Sequence, residues 1–296
     1  MNEVRVQLAP GVPDLAALGV DDAVELLAVD RLPSRGSVLA SGERESLVRY
    51  PLPGTVGPDG RRGGKPRGAG TGWLRLQRFH RSSLGELVRV RFTAPRSLSL
   101  AERAWNVACH LRAHGIGTPE LLAVGAGEGG LFARASFLVT RELDGHETLE
   151  RWLGEALSPA ARRKGALALG HALGQILAAG VVLPELGPRS LHLSIEADEP
   201  EGHACEHGPE PGEGGPRKNR MPSVAVSAFG GARVAPGGLA ARAAALAEGL
   251  LAGWEPPASA GWRFAARVLV AAARVAGLER DARARLWRTA LARTAG

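Results

Sequence analysis

Trp73-Leu74-Arg75-Leu76-Gln77-Arg78-Phe79 is the stretch on which the fold turns. Its residues partly alternate between apolar and polar, as a half-buried strand requires. Just upstream, Ser46-Leu47-Val48-Arg49-Tyr50 reads as a second short strand, and Pro51 to Gly72 is rich in Gly, Pro and Arg and reads as a loop. Residues 46–79 are therefore expected to form a hairpin with a long, mobile tip. Earlier still, residues 12–30 place Leu15, Leu18, Val20, Val24, Leu26 and Leu27 on one broad side of an amphipathic helix, which Pro33-Ser34-Arg35-Gly36 ends.

Working outward in the other direction, residues 99–114 predict a helix. Ser99 is its N-cap, and Glu102 stands at the third position after it, as in a capping box. Gly115-Ile116-Gly117-Thr118-Pro119 stops it. Glu120–Gly125 and Ala135–Glu142 predict two strands joined by a turn at 126–130. Beyond Asp144-Gly145 the chain is mostly helical, over 148–156, 158–179, 239–252, 258–276 and 279–294. Two strand-like pieces, Leu191–Ser194 and Val224–Ser227, interrupt the helices, and the acidic, Gly- and Pro-rich stretch 196–222 between them reads as a disordered loop. The fold class is α+β with two unequal lobes: an N-terminal helical extension over 1–36, a smaller lobe over 37–142 and a helical lobe over 143–296.

Composition narrows the function. Of 296 residues, 45% are apolar and 23% charged, which excludes a disordered chain. The run Gly165–Pro184 is uncharged and long enough to test as a membrane span, but His171, Gln175, four glycines and Pro184 make it a buried core helix, so no transmembrane segment is expected. The first residues lack the apolar core of a signal peptide, and Cys109 and Cys205 cannot build a disulfide framework, which points to the cytoplasm. Cys109 is expected to be buried on its helix. There are 34 arginines but only three lysines, Lys65, Lys164 and Lys218, so chemistry that needs a lysine has three candidates. His203-Ala204-Cys205-Glu206-His207 falls one ligand short of a structural zinc site and reads as chance clustering.

The stretch 258–296 carries eight arginines against Glu279 and Asp281, a balance of +6 in a chain whose net charge is +7. Trp262, Phe264 and Trp287 are interleaved with the arginines. The pattern fits a protein partner or an anionic membrane surface, or else a solvated arginine face over packed aromatics. No nucleic-acid motif or stacking platform accompanies it, and no nucleic-acid partner is expected.

Three blocks carry a family resemblance: Trp73 to Leu87; Ala101-Glu102-Arg103-Ala104-Trp105 with Leu111 to Pro119; and Ala135-Ser136-Phe137-Leu138-Val139-Thr140-Arg141-Glu142-Leu143. In order and spacing, from about Ser46 to about Val234, the chain resembles the bacterial lipopolysaccharide kinases, the Kdo/heptose kinases of the protein-kinase-like superfamily. The resemblance implies a bilobal fold, with an N-lobe antiparallel sheet plus one helix, a helical C-lobe, and a cleft near a hinge at Thr140–Gly145. It also implies ATP and Mg²⁺, held by a strand lysine, a helix glutamate, a catalytic-loop aspartate and two metal-side residues.

Carried over by position, the strand lysine falls on Gln77, the helix glutamate on Ala104, the catalytic aspartate on Glu185, the metal-side loop residue on Ser190 and the metal aspartate on Ala228. Of the five, Glu185 alone keeps its chemical type. Gln77 carries no charge to set against phosphate, and Ala228 offers Mg²⁺ no oxygen ligand through its side chain. Ser227 next to it is only a neutral hydroxyl. Lys65 sits in a Gly/Arg-rich stretch without the order of a phosphate-binding loop, and Pro66 removes a backbone donor. Arg78 points away from the face of Gln77. Arg75 shares that face and is either a stand-in cation or a solvated strand arginine. Glu142 and Asp144 near the hinge are expected to cap or line the cleft. The expected function is a lipopolysaccharide-kinase-like protein without phosphotransfer, a pseudokinase with a binding or scaffold role in envelope glycolipid synthesis and no expected cofactor. The alternative is an atypical ATP-dependent kinase acting on a Kdo or heptose sugar.

Overall fold

The computed structural model describes residues 4–28, 33, 36–53, 72–80, 85, 87–88, 99–127, 135–155, 157–183, 186–194, 222–227, 229, 232–234, 238–252, 260–285 and 288. Residues 54–71 of the expected hairpin tip, residues 196–221 of the expected disordered loop, and the His203–His207 cluster lie outside them. So do the side chains of Trp262 and Trp287.

In the small lobe, β1 (Val4–Leu8), β2 (Ser37–Ser41), β3 (Glu45–Pro51), β4 (Trp73–Phe79), β5 (Leu121–Gly127) and β6 (Ser136–Arg141) form one antiparallel sheet in the order β1-β5-β6-β4-β3-β2. Strands β1, β3 and β4 alternate in burial, and the central strands β5 and β6 are buried almost throughout. The β3–β4 pair is the expected hairpin, with Leu47 opposite Gln77 and Arg49 opposite Arg75. Alternation along β4 sends Leu74, Leu76 and Arg78 to one face, all buried, and Arg75 and Gln77 to the other.

The helix expected over 12–30 does not form. Its place is taken by a 3-10 turn at Ala16–Leu18 and by α1 (Ala23–Leu27), and the residues before them make strand β1. Two local features break the helix. Gly19 is left-handed (φ +74°) and ends the first turn, and the Asp22 carboxylate then accepts from the Val24 N–H at 2.9 Å and starts a new helix. The apolar spacing still does its work, because Leu18, Val20 and Leu26 are buried against Leu74, Leu76, Tyr50 and Phe137 on the outer face of the sheet. Arg78 lies under this layer and donates to the Leu26 carbonyl at 2.9 Å and the Glu25 carbonyl at 2.8 Å, which satisfies the C-terminal end of α1.

α2 (Leu100–Ala113) is the expected capped helix: the Ser99 hydroxyl accepts from the Glu102 N–H at 3.1 Å, and Glu102 also pairs with Arg5 of β1. Cys109, expected to be buried, is exposed, because the buried face runs through Ala101, Ala104, Trp105, Ala108 and Leu111 and position 109 falls off it. Gly117 joins the two lobes. A Cβ there would stand 2.5 Å from the Val224 carbonyl oxygen, and the close approach lets the Val226 N–H donate to the Gly117 carbonyl at 3.0 Å.

The large lobe contains β7 (His146–Thr148), α3 (Leu149–Gly154), α4 (Pro159–Ala178), β8 (Val181–Val182), β9 (Leu191–Ser194), β10 (Val224–Val226), β11 (Arg233–Val234), α5 (Leu239–Ala252) and α6 (Ala260–Val275), with a further helical stretch over 280–285. β10, β9 and β7 make one small antiparallel sheet, and β11 pairs with β8. The uncharged run is a core helix, as expected. α4 packs against α6 through Gly170 and Gly174, where a Cβ would come within 2.4 Å of the Ala271 Cβ and 2.5 Å of the Val275 Cβ. Among the described residues no helix is long and apolar enough to cross a membrane.

Candidate functional site

The inner face of the small-lobe sheet and the loops beside β9 and β10 enclose a cavity of about 590 Å³. Its roof is the β2–β3 turn at Ser41-Gly42, its wall includes Arg75, Gln77 and Thr140, and its floor includes Arg189, Ser190 and Ser227. Gln77 and Ser190, two of the residues singled out in the sequence, thus meet at one cleft together with Arg75. Ala104 does not join them. It is fully buried on α2, within the core that includes Trp105, Leu138 and Leu173. Glu185 and Ala228 lie outside the described residues.

Gln77 is not free for a ligand. Its Nε2 donates to the Glu45 Oε2 at 3.2 Å. Glu45 lies two residues from Leu47, the strand partner of Gln77, so its side chain reaches diagonally across the same face. The cleft therefore presents a carboxylate beside an uncharged amide.

Arg75 is no solvated strand arginine. With its side chain only 20% exposed, it donates through Nη2 to the Glu142 Oε1 at 3.1 Å, while Arg49 grips Oε2 of the same carboxylate through Nε at 2.9 Å and Nη2 at 2.7 Å. The Arg49 guanidinium also lies 4.2 Å over the Trp73 ring. Glu142, expected to cap or line the cleft, instead ties down two strand arginines. Arg189, which lines the cleft and is largely exposed, is paired with Glu150, with contacts at 2.9 and 3.1 Å.

The floor is a hydrogen-bonded block. The Ser190 hydroxyl accepts from the Gly187 N–H and donates to the Gly187 carbonyl, both at 2.9 Å, and the Ser227 N–H donates to the Ser190 carbonyl at 2.9 Å. Below it, the His192 Nε2 and the Ser227 hydroxyl share a hydrogen bond of 2.7 Å. Burial holds the His192 ring at a pKa of about 4, reinforced by the positive charges of Arg75 and His146, so the imidazole is neutral at pH 7.

The lipopolysaccharide kinase (Kdo/WaaP) family model matches residues 55–201, a span that runs from the hairpin tip through α2 and the cleft to just past β9. The chain belongs to the lipopolysaccharide kinase family. Its architecture is the family's kinase-like one: a solved structure, WaaP in complex with acyl carrier protein, aligns over 97% of this chain and 98% of its own with a TM-score of 0.56 at 17% identity. A search of curated proteins finds no match.

Family membership brings ATP and Mg²⁺ into consideration, and the donor set of the cleft does not suit them. A triphosphate needs cations and a magnesium ion needs charged oxygens. Here the amide of Gln77 is turned to a carboxylate, Arg75 and Arg189 are each paired with a glutamate, and the rest of the floor offers neutral hydroxyls. Among the described residues no group of three or more His, Cys, Asp or Glu side chains is placed to hold a metal. Three participants went unnoticed in the sequence: Glu45, Arg189 and His192. Only the strand register puts Glu45 beside Gln77, and only the pairing of β9 between β7 and β10 buries His192.

Proposed function

We propose that this family member is a pseudokinase, a lipopolysaccharide-kinase-like protein that no longer transfers phosphate and acts as a binding or scaffold protein linked to envelope glycolipid synthesis. The observation that carries the reading is the Gln77–Glu45 contact. Where phosphoryl transfer asks for a cation beside the phosphates, this cleft has a neutral amide bonded to an anion. Each charged transition-state contact is worth a few kcal/mol, and the residues at the other four positions, Ala104, Glu185, Ser190 and Ala228, also depart from the family pattern. An active atypical kinase would need Arg75 as its cation, but the Glu142 carboxylate already opposes that charge.

No cofactor is assigned. The chain is proposed to work in the cytoplasm, at the inner face of the membrane, with 258–296 as the surface that meets a protein partner or anionic lipid. WaaP has been solved with acyl carrier protein, which makes acyl carrier protein a partner to test.

The direct test is transfer of labelled γ-phosphate from ATP, with Mg²⁺ or Mn²⁺, to Kdo- and heptose-containing lipopolysaccharide core. The expected result is no acceptor-dependent label, including from a Gln77→Lys/Ala228→Asp variant, where Glu45 would capture the new lysine. Turnover by the unaltered protein that disappears in Arg75→Met would instead establish the atypical kinase.

A further inference from the structure

Away from the cleft, α6 and the helical stretch 280–285 form a second concavity, of about 340 Å³. Leu269, Val270, Ala273 and Ala284 give it an apolar floor, and Arg274, Arg280 and Arg283 stand around it. Local sequence makes this arrangement. Gly277 is left-handed (φ +71°) and turns the chain, and the Leu278 N–H donates back to the Ala273 carbonyl at 2.9 Å, so the next helical stretch folds against the end of α6. Arg280, Arg283 and Ala284 then share one face at i, i+3 and i+4.

The arginines here differ from those around the cleft. Arg49, Arg75, Arg141 and Arg189 each face a carboxylate. Among the described residues no ion pair involves Arg274, Arg280 or Arg283, although Glu279 and Asp281 stand next in sequence and are exposed. Among the described residues, then, three guanidiniums without carboxylate partners ring an apolar hollow. Guanidinium forks match phosphate oxygens, and the apolar floor matches hydrocarbon.

We infer that this groove seats an anionic phospholipid, with the headgroup phosphate among Arg274, Arg280 and Arg283 and the start of an acyl chain over Val270 and Ala273, docking the large lobe on an anionic membrane surface. The inference deepens the partner reading of 258–296 given above and rests on it, but not on whether the cleft is catalytic. The combination of cations that have no carboxylate partner among the described residues with an apolar floor favours lipid over an acidic protein, for which exposed charge alone would serve.

The test uses the full chain and sedimentation with vesicles of phosphatidylcholine alone or mixed with phosphatidylglycerol. Binding is expected only to the anionic vesicles, and is expected to weaken as salt rises. Each arginine near an anionic surface is worth about fivefold in binding, so the Arg274→Glu/Arg280→Glu/Arg283→Glu variant should lose on the order of a hundredfold or more. Ala284→Asp, an exposed change on the floor, should weaken binding at an unchanged thermal midpoint, whereas Arg163→Glu on exposed α4 should bind as the parent does. Equal binding to neutral vesicles, or full binding by the triple variant, would overturn the inference. If vesicles fail but purified acyl carrier protein binds and the triple variant abolishes it, the lipid is wrong and the partner surface stands. If neither binds, both fall.

Discussion

On the outer face of the small-lobe sheet, Leu74, Leu76 and Arg78 are sealed under the N-terminal segment, while one residue away along the same strand Arg75 and Gln77 line the cleft. Both faces hold an arginine with little exposure, and they settle it differently. Arg78 gives its hydrogens to the Leu26 and Glu25 carbonyls at the end of α1, so its charge serves the packing of the N-terminal segment. Arg75 gives its hydrogen to Glu142, a carboxylate it shares with Arg49, so its charge is engaged within the protein at the mouth of the site. The strand thus builds a core on one side, and on the other a polar cleft whose cation is already opposed. That is a sound way to keep a kinase-like scaffold and a poor way to hold polyphosphate.

The comparison is broken most severely on the packed side. Leu76→Ala should cost about 3 kcal/mol of stability through lost burial and the cavity left behind, whereas Gln77→Ala next to it should stay within about 0.5 kcal/mol. Urea unfolding of the two variants measures the contrast, and similar losses would contradict the assignment of faces.

An effect of similar size follows from His192. Its folded pKa of about 4 lies below the ordinary value of 6.5, so the unfolded chain binds the proton more readily between those values. Stability is then full above about pH 6.5 and falls as pH drops toward 4, by about 3 kcal/mol across the window. His192→Gln should flatten that part of the profile while lowering stability at neutral pH. An unchanged slope would place the acid sensitivity elsewhere.

A third variant sharpens the contrast inside the cleft. Glu142→Gln leaves Arg49 and Arg75 without their shared anion. It should cost about 2 kcal/mol, since both arginines are partly buried, and should make the cleft measurably bind inorganic pyrophosphate by calorimetry where the parent does not. If the variant stays blind to pyrophosphate, Glu142 is not what silences Arg75. Smallest in effect is Tyr50→Phe on the outer face. The Tyr50 hydroxyl is buried with no partner among the described residues, and burial pushes its pKa up. Removing it should leave stability unchanged or raise it by about 1 kcal/mol. A loss of more than that would mean the hydroxyl is satisfied in solution.

The parts of this picture legible in the sequence were those with a period, a bounded apolar run or a cap. Alternation marked β4, short apolar runs bounded by turn residues marked β3, β5 and β6, and Ser99 marked α2. Spacing alone could not show that Gly19 and Asp22 split the segment 12–30 into two short pieces, because the same leucines suit one helix or two. β7, β8 and β11 are two or three residues long, too short to display a period. In the cleft, Gln77, Arg75 and Ser190 were legible because each position followed from the strand or from the family resemblance. Glu45 and the Arg49–Glu142–Arg75 cluster were not, since they depend on which residues lie opposite one another in the β2-β3-β4-β6 order.

The central claim is that the cleft no longer receives a magnesium nucleotide. Thermal unfolding of the full chain with ATP and ADP to millimolar concentration, with and without Mg²⁺ or Mn²⁺, tests it most directly. A ligand present at a hundredfold above its dissociation constant adds about 2.7 kcal/mol to the folded state. The prediction is a midpoint that none of these nucleotides moves in a metal-dependent way. A clear rise that requires both nucleotide and metal would contradict the account and return the protein to the active kinases of its family.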